Sequence, residues 1–82
     1  MDGRMIGSFV KNAREAVAVQ LTTYNGHRLC DVRVVIPNPD GDNTPTKKGV
    51  TLKPASLPDL IKLLQEAHAA ALQAGWCQSD GT

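Results

Sequence analysis

Thr46-Lys47-Lys48-Gly49-Val50-Thr51-Leu52-Lys53-Pro54 runs from two adjacent cations through a glycine and a β-branched stretch to a proline able to open a helix. Residues before it read as strand and turn, and residues after it read as one helix. The stretch therefore places the most basic local sequence at the join between a sheet and the helix expected to cover it. Within it, Val50 and Leu52 fall on one side of a strand from Thr46 to Lys53, the side expected to be buried, with Thr51 and Lys53 opposite.

Upstream, Ile6 to Lys11 alternates as a short first strand after a loose start at Met1 to Met5. From Ala16, Val17, Val19 and Leu21 alternate with Ala18, Gln20 and Thr22, a period of two with one apolar face. Asn25-Gly26 ends this strand, because both central residues of a type I′ turn need positive φ. Leu29 to Ile36 returns, with Asp31 and Arg33 on one face and Val32 and Val34 on the other. Pro37 to Asn43 holds two prolines and Asp40-Gly41, which reads as a loop longer than a tight hairpin turn. Four strands in an antiparallel meander follow from this pattern.

Downstream, Ser56 stands three residues before Asp59 as a possible capping box, with Pro54 as the competing helix start. The helix then runs from Leu57 to Ala74, and Gly75 is placed to stop it. Its apolar residues span an arc of about 200°, twice the width an ordinary surface helix needs. One stripe is expected on the sheet, and the other, through Leu60, Leu64, Ala67, His68 and Ala71, on the helix of a second copy. Trp76 to Thr82 reads as a loose tail. The fold class expected is α+β: a four-stranded curved antiparallel sheet over about residues 4–53, then one C-terminal helix, in a homodimer.

Eighty-two residues make one domain, and a chain of that length buries only about 60% of the surface its unfolded form exposes. With one Trp, one Tyr and one Phe, its core depends on aliphatic side chains, so pairing with a copy of itself is a natural source of further burial. Residues 1–53 carry eight Lys/Arg against five Asp/Glu, whereas residues 54–82 carry one against three. The sheet half is the cationic half, where a polyanion would be met. Two cysteines without repeated spacing indicate neither a disulfide framework nor a zinc site, and no apolar run is long enough for a signal peptide or membrane span. No nucleophile elbow, metal-ligand cluster or phosphate-binding glycine loop is present, so no catalysis, cofactor or metal is expected. Cys30 reads as core filler and His68 as a packed histidine of the helix.

The candidate binding residues are the cations Arg33, Lys47, Lys48 and Lys53, with His27 and Arg28 beside the Asn-Gly turn. On a curved sheet such cations can follow a sugar-phosphate chain, and Tyr24 offers a π-face on which a base can stack. The competing reading is an interaction module that recruits another protein through the wide helix face or Trp76.

From Tyr24 to Leu57 the chain resembles the single-stranded-DNA-binding domain of the positive-cofactor-four family of transcriptional coactivators. The resemblance rests on an ordered set: Tyr24-Asn25-Gly26, Leu29-Cys30-Asp31-Val32-Arg33, Asp40-Gly41, then Lys47-Lys48-Gly49-Val50-Thr51-Leu52-Lys53-Pro54 before an amphipathic helix. It implies a homodimer with two basic channels for unpaired DNA, low sequence specificity, and transcription machinery as a further partner; RNA stands as the other single-stranded ligand. Tyr24 matches the stacking aromatic, Arg33 the strand cation, and Lys47, Lys48 and Gly49 the basic loop. Asn25 and His27 occupy positions where the family often has lysines, and Ile36 one where an aromatic often helps to stack a base, which implies a less cationic channel. The basic, serine-rich tail of eukaryotic members has no counterpart, so a bacterial or phage form is expected, cytoplasmic and nucleoid-associated rather than nuclear.

Overall fold

In a computed structural model, which describes residues 3–77, strands β1 (Arg4–Val10), β2 (Ala16–Tyr24), β3 (His27–Pro37) and β4 (Asn43–Leu52) form one antiparallel sheet in the order β1-β2-β3-β4. A 3-10 turn over Pro54–Ser56 leads into helix α1 (Leu57–Gln73). The expectations for Met1, Asp2 and the end of the tail fall outside the described residues.

The β2–β3 turn forms as the sequence requires, with Asn25 at φ 51° and Gly26 at φ 80°. It pairs Tyr24 with His27 and carries that register unbroken to Ala16 and Val35. The last strand begins earlier than expected, at Asn43 instead of Thr46. Pro45 is tolerated there because β4 is an edge strand, where a missing N–H leaves no ladder partner stranded. The connecting loop is consequently only Asn38 to Asp42, closed by the Asn38 N–H on the Asp42 carbonyl (2.8 Å).

Strand alternation sorts the side chains onto two faces. Ala16, Ala18 and Gln20 of β2 lie with Asp31, Arg33 and Val35 of β3 and with Gly49 and Thr51 of β4. Val17, Val19 and Leu21 share the other face with Cys30, Val32, Val34, Val50 and Leu52. Among the described residues four of the five buried ones, Ala16, Ala18, Val35 and Asp31, lie on the first face, although no helix lies over it. Curvature explains this: a hollow of about 110 Å³ on that face is walled by Met5 from one edge strand and by Asn43 and Pro45 from the other. The sheet curls so that its own edges shield the small residues along its middle.

The expectation that α1 covers the sheet is not met. The helix has no buried residue, and Ile61, Leu63 and Leu64 are all exposed. On the valine face Cys30 is buried, but Val50, expected inside, is 51% exposed. The 3-10 turn supplies the reason: it packs against β3 and sends the chain away from the sheet before α1 begins. Ser56 ends that turn in α-helical conformation (φ −86°, ψ −10°), so its hydroxyl makes no cap hydrogen bond and the expected capping box does not form. At its other end α1 stops as anticipated: Gly75, at φ 79°, donates to the Leu72 carbonyl (3.1 Å) and Trp76 to that of Ala71 (2.8 Å), the two bonds of a Schellman motif.

Extents of 42 × 34 × 19 Å and a radius of gyration of 14.7 Å follow from a helix standing off a thin sheet. A compact domain of this length has a radius of gyration of about 12 Å.

Candidate nucleic-acid interface

Lys47 and Lys48 sit in a distortion of β4. Arg33 pairs with Gly49 and Val35 with Pro45, so the three residues Thr46, Lys47 and Lys48 stand opposite the single residue Val34. Thr46 holds this bulge together: its hydroxyl donates to the Val34 carbonyl (2.8 Å) and accepts the Lys48 N–H (3.1 Å). Gly49 closes it. A Cβ there would lie 2.5 Å from the Val32 carbonyl oxygen and 2.8 Å from the Arg33 Cα, so no side chain fits without moving backbone. The lysine side chains are left outside, Lys48 being 74% exposed with its ammonium 3.9 Å from Glu15.

Glu15 belongs to the β1–β2 connection, which the Asn12 side chain organises by accepting the N–H groups of Arg14 and Glu15 (3.0 and 2.9 Å). Hydrogen bonds from Asn12 and Lys11, with the charges of Lys11 and Lys48, hold the Glu15 carboxyl below its ordinary pKa.

Arg33 occupies the middle of the concave face, and it is engaged within the protein. Its Nε and Nη2 donate to the two Asp31 oxygens at 3.0 and 2.8 Å, Nη1 donates to the Thr46 carbonyl at 2.9 Å, and the Thr51 hydroxyl also donates to Asp31 at 3.0 Å. The bidentate guanidinium, with Thr51, keeps the Asp31 carboxyl ionised below its usual range although the residue is only 7% exposed.

Tyr24, His27 and Lys53 gather at the turn end of the same face, around a hollow of about 450 Å³ walled by Leu29, Pro54 and Ala55. Arg28 also lines this hollow, although alternation assigns its side chain to the valine face. Asn25 forms the turn itself. The distance along β3 from His27 to Arg33 is about 20 Å at the usual strand rise. Beyond Val35, a further hollow of about 880 Å³ opens between Val10, Arg14, Ile36 and Pro37. The expected cations thus form two groups, Lys53 at the turn end and Lys47 and Lys48 at the bulge.

Sequence reasoning did not pick out Asp31, Thr46, Thr51 or Glu15. Asp31 and Arg33 two apart on one strand face were the available signal. The hydroxyls had none, because their partners lie across a bulge that no local pattern announces. Of the expected helix-interface residues, Leu60 and Ala71 are half-buried and Leu64, Ala67 and His68 exposed. Among the described residues no helix is long and apolar enough to cross a membrane.

Comparison with known proteins bears on this geometry. The model of the family described as Transcriptional Coactivator p15 (PC4) matches residues 11–63, which contain β2 to β4, the bulge and the start of α1. The structure is similar to the crystal structure of a PC4 homologue from Burkholderia pseudomallei, with a TM-score of 0.73 and 33% identity over 83% of this chain and 93% of that one. A second crystal form of the same protein gives a TM-score of 0.71. The bacteriophage T5 homologue of the eukaryotic transcription coactivator PC4, implicated in recombination-dependent DNA replication, shares the fold at a TM-score of 0.55 and 17% identity, covering 92% of this chain and 82% of its own. No curated protein sequence matches the chain.

The lowered pKa of Asp31 fixes the sign of a pH effect. Its contribution to stability is complete above the unfolded carboxylate value of about 3.9 and is lost as pH falls through the lower folded value. Glu15 acts in the same direction. Denaturant unfolding of Asp31→Asn should therefore show a protein about 1.5–3 kcal/mol less stable at pH 7, with the gap to the unaltered chain narrowing below pH 4; a gap that stays constant down to pH 2 would contradict the assignment.

Proposed function

We propose a function from one premise: the chain belongs to the Transcriptional Coactivator p15 (PC4) family, as the match over residues 11–63 shows. Membership carries the coarse reading, a DNA-binding protein of coactivator type. The finer reading is that it binds single-stranded DNA with little sequence preference along the concave face, as a homodimer. Lys47, Lys48 and Lys53 meet phosphates, Tyr24 stacks a base, and Asn25, His27 and Gly49 line the path. No catalytic step is part of this reading.

The observation that supports it best is the trough itself. Two hollows follow one another along a single curled face, one beside Arg33 and one beside Lys53, with Tyr24, 68% exposed, at the turn end. An aromatic that exposed contributes little to packing, whereas stacking on a base is worth about 1–3 kcal/mol. Such a path is open to a bare strand. Contacts to backbone and π-faces give affinity without reading sequence.

The homodimer is supported by what the protomer leaves uncovered. The wide apolar arc of α1 has no buried residue and the valine face of the sheet leaves Val50 exposed, and the surface of 6708 Å² compares with about 4,800 Å² for a compact monomer of this mass. A second copy, laying its helix through Leu60, Leu64, Ala67, His68 and Ala71 against these surfaces, covers them while the trough stays open. Transcription machinery is a further partner of this reading, and RNA a second single-stranded ligand.

Fluorescence anisotropy with a labelled oligothymidylate tests the binding. Three phosphate contacts on a single strand give a slope of log K against log salt of about −2, or roughly a 20-fold loss between 50 and 200 mM. The double variant Lys47→Glu, Lys48→Glu should weaken binding more than tenfold at 50 mM salt and leave sedimentation unchanged. Affinity indifferent to salt, or equal in the variant, would remove the proposal. In sedimentation equilibrium the unaltered chain should have the mass of two copies at micromolar concentration and Leu64→Asp should shift it toward one; a stable monomer of the unaltered chain would contradict the dimer.

A further inference from the structure

Arg33 lies at the centre of the trough, yet its geometry is that of an internal brace. Four of its five N–H donors are committed, to Asp31, Thr51 and the Thr46 carbonyl. Its side chain is only 25% exposed, against 74% for Lys48. Turning the guanidinium toward a phosphate would leave the Asp31 carboxylate buried without its counterion, which is strongly unfavourable. It would also release the Thr46 carbonyl, the start of the inserted segment. The paired charges of Asp31 and Arg33 cancel, so together they offer a polyanion little attraction.

We infer that Arg33 is a positioning residue: held by Asp31 and Thr51, its guanidinium grips the Thr46 carbonyl and sets the shape of the Lys47–Lys48 bulge that meets the strand, without neutralising a phosphate itself. Asp31, Thr46 and Thr51 belong to the same device. The bulge is fixed from three directions. Arg33 holds the Thr46 carbonyl, the Thr46 hydroxyl bridges the Val34 carbonyl and the Lys48 N–H, and Gly49 packs against the Arg33 backbone with no room for a Cβ. With the backbone fixed at both ends, the two lysines reach outward from defined positions, and less freedom is lost when a phosphate docks. A lysine in place of Arg33 keeps the charge but lacks the planar fork that holds a carboxylate and a carbonyl together.

This inference rests on the proposed single-strand binding, and salt dependence separates the two. Arg33→Lys, Arg33→Gln and Thr46→Val, each in the full chain, are titrated with the labelled oligothymidylate from 50 to 200 mM salt. All three should lose affinity, by about tenfold, with the salt slope of the unaltered chain preserved. The uncharged Thr46→Val carries particular weight, since a phosphate ligand has no reason to share its phenotype. Wild-type affinity in Arg33→Lys together with a slope smaller by about 0.7 in Arg33→Gln would make Arg33 a phosphate ligand and overturn the inference. So would unchanged affinity in Thr46→Val. If Arg33→Gln fails to fold because Asp31 is left unpaired, the double variant Arg33→Gln, Asp31→Asn removes both charges and should again lose affinity at constant slope. Absence of salt-dependent binding by the unaltered chain would sink the binding proposal alone. The brace is then decided in the free protein, where Arg33→Lys must shift the backbone amide resonances of Lys47 and Lys48, and unshifted resonances overturn it.

Discussion

The ion pair between Asp31 and Arg33 is what allows a sheet face to be curled, polar and ordered without a helix across it. A concave face built from alanine, glycine and valine would be a shallow apolar dish. One built from unpaired charges would resist burial. The bidentate pair, completed by Thr51 and extended to the Thr46 carbonyl, satisfies the charges internally and ties β3 to the irregular part of β4. The bulge then shows two lysines to solvent from a rigid base. The small floor residues Ala16, Ala18 and Gly49 keep the trough open above it.

The same arrangement divides the labour of the protomer's surfaces. One face of the sheet carries the polar brace, the exposed tyrosine and Lys53. The other carries the valines and, with the free-standing helix, presents more apolar surface than a chain of this size keeps exposed alone. Under the proposed function these two needs do not compete: a second copy answers the apolar side and a polynucleotide answers the trough. The turn over Pro54–Ser56 is the device that separates them, because it directs α1 away from the trough rather than across it.

Local signals in the sequence were enough for the elements. Asn25-Gly26 demands positive φ at two positions and adopts it, Gly75 terminates α1, and the period of two in β2 and β3 sorts Asp31 and Arg33 from the valines as alternation requires. What could not be seen depends on contacts between distant residues. The insertion at Thr46 is defined only against Val34, and Pro45 enters a strand only because β4 is an edge. The helix leaves the sheet because of a 3-10 turn whose residues, Pro54 to Ser56, equally suit a helix start. Tyr24, His27 and Lys53 stand apart in the sequence, and the fold brings them to one hollow. Arg33 reads from the sequence as a cation for phosphate contact because its partners Thr46 and Thr51 lie on another strand.

All of this rests on which side of the sheet meets the nucleic acid, and backbone amide shift mapping during titration with an oligothymidylate reads that directly. The largest changes are expected at Tyr24, His27, Gly49 and Lys53 and in the Lys47–Lys48 bulge, with Val19, Val32 and the length of α1 unmoved. Changes concentrated along α1 and the valine face, with Tyr24 and the bulge silent, would place the ligand on the wrong side and contradict it.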